Sequence, residues 1–243
     1  ITIWPRRTVR NDEFVSFSMA GIMNMIDFAH KNGLHVELRD SVIFPDSVQN
    51  YEKYKANAIA HAAEYAQLAE KYKVYRIVPF GEIDNDMWKN DCTKITELAQ
   101  ELLKEMRKHY SGKIGTGVAA PWRDCGFTFQ GYDYLTVSAY PHKDLATSIN
   151  WARGVADKSG IKVLHVGETG VYNPGDNKPP DNFETVSMSR DEEADYYNDF
   201  FRQFADKING ISIYYNSKTN SMNINGQPAE QIVKEWYTNK LPD

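Results

Sequence analysis

Short apolar runs alternate with longer helical patterns along almost the whole chain, and this alternation limits its fold more than any other feature. Seven runs read as strands, at 1–4, 34–38, 74–80, 113–118, 134–139, 161–166 and 211–215. Apolar residues recur at helical spacing in 19–31, 51–72, 92–109, 145–158, 189–208 and 228–237. Strands that alternate with helices in this way predict a parallel sheet with its helices packed outside it.

The predicted fold is an α/β (β/α)8 TIM barrel, formed as a single domain by residues 1–243. A closed barrel of this class has eight strands, whereas seven are visible and the first begins at Ile1. The simplest interpretation is a partial barrel that lacks the first strand–helix unit at its N-terminus. Its strand edges would then need a preceding segment, another chain or an unusual open barrel to cover them.

Local signals predict where several elements begin and end. The strand at 1–4 is expected to run into a polar loop, and the connection after 113–118 is expected to be mostly loop. Ser189 is the expected N-cap of the helix that follows it. Residues 172–188 predict a long polar loop, and loops of that length usually carry function or are disordered.

Composition argues against several classes of function. The net charge of −5 offers no basic surface for nucleic acid, and no run approaches the roughly 18 apolar residues of a membrane span. We therefore expect neither partner, and we expect a monomer that needs no cofactor. The histidines lack metal-binding spacing, and Cys92 and Cys125 form no zinc motif, although a disulfide between them stays open. Serine-hydrolase and phosphate-binding motifs are missing as well.

Two predicted strands run into the same dipeptide, Gly-Glu. Gly81-Glu82 follows the run at 74–80, and Gly167-Glu168 follows the run at 161–166. The carboxyl ends of parallel barrel strands all lie at one face, so the third and sixth strands can bring both glutamates to one mouth. With the missing unit restored, these are the fourth and seventh strands. Two carboxyl groups at one site are what glycoside hydrolysis requires. Two unrelated surface glutamates at loop starts are the alternative.

Further stretches occur in an order that is typical of one group of enzymes. They are IDFAHKNGLHVEL at 26–38, YAQLAEKY at 65–72, YDYLTVSAYP at 132–141 and GQPAE at 226–230. With the two Gly-Glu pairs, they resemble the clan of retaining glycosidases that have catalytic glutamates on barrel strands four and seven. The similarity is closest to the endo-β-mannanase and endo-β-1,4-galactanase branches of that clan.

The resemblance implies double displacement on β-mannan, β-galactan or β-glucan, with Glu82 as general acid/base and Glu168 as nucleophile. Such an enzyme should hold its two carboxyl groups roughly 5–5.5 Å apart. Since polymers do not cross membranes, we expect a secreted or cell-surface protein. The chain departs from the clan at Gly81, where most members have an asparagine that binds the sugar 2-hydroxyl, although the mannanase-like branch lacks it too.

Other residues are candidates for the same mouth. The resemblance implies that the hydroxyl of Tyr140 bonds to the nucleophile, and a buried structural tyrosine is the alternative. Arg39 could hold the nucleophile's charge or a sugar hydroxyl, and it could equally form a structural ion pair. The candidates for stacking platforms and substrate contacts are Trp4, Trp88, Trp122, His142 and Tyr214. A non-catalytic carbohydrate-binding barrel derived from a glycosidase is the alternative function.

Overall fold

The computed structural model describes residues 1–10, 13–15, 19–43, 48, 50–84, 92–119, 121, 124–141, 145–171, 188–213 and 224–239. The strands in this part of the chain are β1 (Thr2–Ile3), β2 (Arg6–Arg10), β3 (Glu13–Val15), β4 (Glu37–Arg39), β5 (Ser41–Ile43), β6 (Arg76–Val78), β7 (Lys113–Val118), β8 (Tyr134–Ser138), β9 (Val163–Thr169) and β10 (Gly210–Ile213). The α-helices are α1 (Met19–Lys31), α2 (Tyr51–Lys71), α3 (Ile95–Met106), α4 (Leu145–Lys158), α5 (Arg190–Phe204) and α6 (Pro228–Asn239).

Seven strands form one parallel sheet in the order β1-β4-β6-β7-β8-β9-β10. The sheet curves until its two edge strands meet, where Thr2 Oγ1 of β1 lies 3.1 Å from Ser212 Oγ of β10. The barrel is therefore nearly closed by seven strands, which confirms the predicted TIM barrel that lacks one unit.

The apolar core lies between the sheet and the surrounding helices. Helix α3 shows why the sequence pattern works, because Leu98, Leu102 and Met106 are fully buried at helical spacing on one face. Ser189 is the N-cap of helix α5, as predicted, and it forms a capping box with Glu192. None of the helices in the described ranges combines the length and hydropathy that a membrane-spanning segment needs.

The interior of the barrel is polar, unlike the layer outside it. Arg76 forms an ion pair with Glu37 at 2.5 Å, and its Nη1 lies 3.4 Å from Nε2 of His165. Burial, together with the positive charge of Arg76, lowers the pKa of His165 to about 3, so this imidazole is neutral. Tyr134 fills the space beside Gly115, where a Cβ atom would come 2.5 Å from its ring. A few large side chains packed against glycines thus fill the barrel.

The expectation of a polar loop after residue 4 was wrong. Strands β2 and β3 pair as an antiparallel hairpin, and β5 adds to β2 in parallel, which gives a sheet of order β3-β2-β5. The Thr-Val and Phe-Val pairs at 8–9 and 14–15 have high strand propensity. The polar residues between them make the segment resemble a loop, so the strands are not evident from the sequence. Because β2 and β5 begin just beyond the ends of β1 and β4, this small sheet stands at the mouth.

Candidate active site

Both glutamates of the Gly-Glu pairs lie at the mouth of the barrel. Glu82 follows β6, the third strand of the barrel sheet, whereas Glu168 lies near the end of β9, the sixth. Both side chains are partly exposed, although most of their surroundings are buried. Two carboxyl groups from distant parts of the chain therefore open toward the same end of the molecule.

A β-bulge in β9 aims Glu168 into the mouth. Val166 pairs with Val137 of β8 and Ile211 of β10, but the next pairs are Glu168 with Ser138 and Thr169 with Ile213. Strand β9 thus holds one residue more than either neighbour at this point. Regular alternation from His165 and Gly167, which face the interior, would turn Glu168 toward the helices. The extra residue places it beside Ser138 instead.

Strand β8 holds both carboxyl groups at its end. The hydroxyl of Ser138 donates to Glu82 Oε1 at 2.6 Å, and the hydroxyl of Tyr140 donates to Glu168 Oε1 in a short hydrogen bond. Residues two apart on a strand face the same side, about 6.6 Å from each other. One strand end therefore connects the two glutamates, and the contact of Tyr140 is the one that the resemblance implies.

The guanidinium of Arg39 lies beneath the mouth, between the two Gly-Glu segments. A Cβ atom at Gly167 would come 1.3 Å from Arg39 Nη1, and one at Gly81 would come 3.3 Å from its Nε. Arg39 is only 1% exposed, and its Nε and Nη1 have no hydrogen-bond partner among the described residues. Its Nη2 donates to the carbonyl of Gly81 at 3.5 Å, and the structural ion pair of Arg39 stays a prediction. The glycine before each glutamate makes room for this cation.

The ring of Trp4 packs against the same guanidinium, with its centroid 5.0 Å from Cζ of Arg39. That distance is within the range of a cation–π contact. Trp4 is partly buried at the end of β1, so part of its surface stays open at the mouth. The contact orients the aromatic ring against the cation that lies between the two Gly-Glu segments.

Buried groups hold the backbone of the segment that carries Glu82. Gly81 N donates to the carbonyl of Asp40 at 3.2 Å, and the Asp84 carboxylate accepts from Ala119 N at 2.8 Å. The carboxylate of Asp40 in turn lies 3.0 Å from Nε2 of His61, and both side chains are buried. Asp84 therefore ties the segment to the end of β7, and the backbone is anchored on both sides of Glu82.

The structure brings five of the proposed site residues to one mouth: Arg39, Trp4, Tyr140, Glu82 and Glu168. The other four, Trp88, Trp122, His142 and Tyr214, lie outside the described residues, as does the loop from 172 to 187. Ser138 was missed in the sequence. A signal for it exists, because polar side chains occupy every second position from Tyr134 to Tyr140, which is the period of one strand face.

The arrangement suits acid/base and nucleophilic chemistry by carboxyl groups. Glu82 accepts a hydrogen bond from a serine hydroxyl and Glu168 accepts one from a phenol. The buried guanidinium of Arg39 lies below both carboxyl groups. In the described ranges, no three side chains of the metal-binding types His, Cys, Asp and Glu gather into a metal site.

Comparisons with known proteins agree with this architecture. Residues 7–215 match the sequence model of Glycoside Hydrolase Family 113. The structure of a GH113 β-1,4-mannanase superposes with a TM-score of 0.75 at 19% identity, covering 98% of this chain and 87% of that one. The GH113 β-mannanase AaManA from Alicyclobacillus acidocaldarius, in complex with ManMIm, gives a TM-score of 0.74 at 19% identity, with coverages of 98% and 86%.

A structure from a study of two fungal β-1,4-galactanases is also similar, with a TM-score of 0.59 at 14% identity over 91% of this chain and 81% of that one. Among curated protein sequences, none is similar enough to count as a match. At these identities the structural likenesses show a shared fold, whereas the family match covers most of the sequence.

Proposed function

The chain belongs to Glycoside Hydrolase Family 113, and from this premise we propose that it is a retaining endo-β-glycanase with Glu168 as nucleophile and Glu82 as general acid/base. The observation that carries the proposal is the joint anchoring of both carboxyl groups by the end of β8. The non-catalytic binding barrel has no comparable observation in its favour, because a binding site has no need of two carboxyl groups held in this way.

The roles of the two glutamates follow from their partners. The phenol of Tyr140 donates to Glu168, and a donated hydrogen bond favours the ionised carboxylate that a nucleophile must be. Arg39 packs against Gly167, the residue before Glu168, so its positive charge acts in the same direction. Because Arg39 is almost fully buried, we assign it this electrostatic role and not a direct contact with sugar.

The proposed reaction has two steps. In the first, Glu82 donates its proton to the glycosidic oxygen while Glu168 attacks the anomeric carbon, so the leaving sugar departs with a new hydroxyl group. In the second, Glu82 removes a proton from water, the water oxygen displaces Glu168 from the anomeric carbon, and Glu82 is protonated again. Two inversions at the same carbon leave the product with the configuration of the substrate.

The first candidate substrate is β-1,4-mannan, because two of the similar structures are β-mannanases. β-1,4-galactan and β-glucans are the alternatives, which differ from mannan in the orientation of hydroxyl groups. Trp4, whose ring packs against the guanidinium of Arg39, is the candidate platform for a sugar ring. Action on a polymer implies a secreted or cell-surface enzyme, and the disulfide-bonded state of Cys125 supports export because such bonds persist in oxidising compartments.

The test is a reducing-sugar assay on β-1,4-mannan, β-1,4-galactan and β-glucans with the wild type and the Glu82→Gln and Glu168→Gln variants. We expect turnover of one polymer by the wild type and losses of several orders of magnitude in both variants. Glu64→Gln, on the exposed face of α2, is the matched control and should keep wild-type activity.

Proton NMR of the fresh products reports the mechanism. The β anomer should appear first and then mutarotate. If the α anomer appears first, the enzyme inverts and Glu168 is not the nucleophile. If the wild type binds a polysaccharide but cleaves none of the three, the chain is a carbohydrate-binding barrel.

A further inference from the structure

Ser138 contacts both glutamates, Glu82 through its side chain and Glu168 through its backbone. The two-step reaction described above assigns it no role. Its hydroxyl donates to Glu82 Oε1 at 2.6 Å, and its backbone pairs in register with Glu168 across the β8–β9 ladder. It is one of the polar residues that alternate along the inner face of β8, two positions before Tyr140. Ser138 is therefore fixed by the barrel itself and not by a loop.

We propose that Ser138 is a positioning residue that selects which oxygen of Glu82 carries the transferable proton; this rests on the proposed function of Glu82. In a carboxylic acid, one oxygen is protonated and donates, whereas the other accepts. Because Ser138 donates to Oε1, it makes Oε1 the accepting oxygen and directs the acid proton to Oε2. The rotation of the carboxyl group is fixed by the same bond.

The same hydrogen bond serves the second step. Once Glu82 has given up its proton, it is a carboxylate, and a hydroxyl that donates to a carboxylate forms a stronger, charge-assisted bond. Ser138 therefore holds the side chain in one orientation while its protonation state changes. Tyr140 has a different task at Glu168, which must stay ionised until it attacks.

The geometry separates this role from a structural one. The backbone around Glu82 is held by bonds from Gly81 to Asp40 and from Ala119 to Asp84, and neither involves Ser138. Loss of the serine hydroxyl should therefore leave the segment in place and disturb the carboxyl group alone.

The experiment compares two substrates in wild type, Ser138→Ala and Ser138→Thr. The first is an oligosaccharide of the polymer that the wild type cleaves, whose leaving sugar needs a proton. The second is the matching dinitrophenyl glycoside, whose leaving group departs without one. For Ser138→Ala we expect kcat on the oligosaccharide to fall about 10- to 100-fold with little change in KM, because the lost hydrogen bond is to the carboxylate that forms as Glu82 gives up its proton.

The release of dinitrophenol in the first turnover should change less than threefold in Ser138→Ala, because this step does not use the acid proton. Ser138→Thr keeps the hydroxyl and should recover most of the oligosaccharide activity. Ser138→Cys keeps the side-chain volume but has only a weak hydrogen-bond donor, so its kinetics should resemble those of Ser138→Ala. It takes the place of Ser138→Ala if the alanine variant does not fold. Ser212→Ala, the same change inside the barrel on β10, should leave both substrates unaffected.

Three results would overturn the inference: unchanged oligosaccharide kcat in Ser138→Ala, equal losses on both substrates, or no recovery in Ser138→Thr. Each would leave an active wild type and an inactive Glu82→Gln variant intact. A wild type that cleaves none of the polymers, or a fully active Glu82→Gln variant, would instead refute the proposed function and this inference with it.

Discussion

Replacing Gly167 by alanine tests whether Arg39 is packed as tightly between the Gly-Glu segments as the structure shows. The new Cβ atom would lie 1.3 Å from Nη1 and 2.2 Å from Cζ of Arg39, so the guanidinium must move. Overpacking of a core typically costs about 1–3 kcal/mol. Because the displaced group is a buried cation that is 1% exposed, we expect the upper part of that range, about 2–3 kcal/mol.

A loss of that size should lower the melting temperature by about 4–12 °C in a chain of this length. Differential scanning calorimetry of wild type and Gly167→Ala measures it. The matched control is Gly154→Ala on α4, where a Cβ atom meets nothing within 4 Å. Alanine is the better helix former, so this control should be neutral or more stable by up to about 1 kcal/mol.

A double-mutant cycle identifies the cause of the loss. If Arg39 is the obstacle, the cost of Gly167→Ala should shrink in an Arg39→Ala background, with a coupling of about 0.5–3 kcal/mol. Equal melting of Gly167→Ala and wild type, or the same cost with and without Arg39, would show that the packing argument is mistaken.

Two further predictions concern the carboxyl site and the barrel interior. Tyr140→Phe removes the donor to Glu168 and should lower kcat about 10- to 100-fold in steady-state assays. The hydroxyl of Tyr237 bonds to the backbone of β10, so the control variant Tyr237→Phe should keep the wild-type kcat. Equal kcat values for Tyr140→Phe and wild type would contradict the role of the phenol. Burial and the charge of Arg76 lower the pKa of His165 to about 3, whereas a histidine in an unfolded chain has a pKa of roughly 6.5. The stability that the neutral His165 contributes is therefore complete above about pH 6.5 and is lost as the pH falls toward 3. Urea unfolding at pH 7 and pH 5 should therefore show a loss of about 2 kcal/mol in the wild type that is missing in His165→Gln, and equal losses in the two proteins would refute a buried neutral imidazole.

The barrel could be predicted from the sequence because its elements carry local signals. The helix over Leu145–Lys158 and the strand that begins at Tyr134 have an apolar period that belongs to each segment alone. The placement of Glu82 and Glu168 at one mouth followed from the order of the strands, since parallel strands all point the same way. These features need no knowledge of contacts between distant residues.

The packing inside the barrel could not be predicted in the same way. The position of Arg39 against Gly81 and Gly167 joins three segments that lie far apart in the chain, and nothing in any one segment signals it. The bond from Ser138 to Glu82 depends on the register of neighbouring strands. The hairpin of β2 and β3 was missed because its strands are short and rich in charged residues, which resembles a loop.

The bulge in β9 has a consequence for anyone who wishes to transplant this pair of glutamates onto another scaffold. Gly167 and Glu168 both face inward, so the cation sits one level below the carboxylate that it supports. A regular strand cannot present two consecutive residues to one side. On a regular strand, substitution alone would therefore give either the glycine that leaves space for the arginine or the inward-facing glutamate above it. Obtaining both would require the insertion of one residue in that strand.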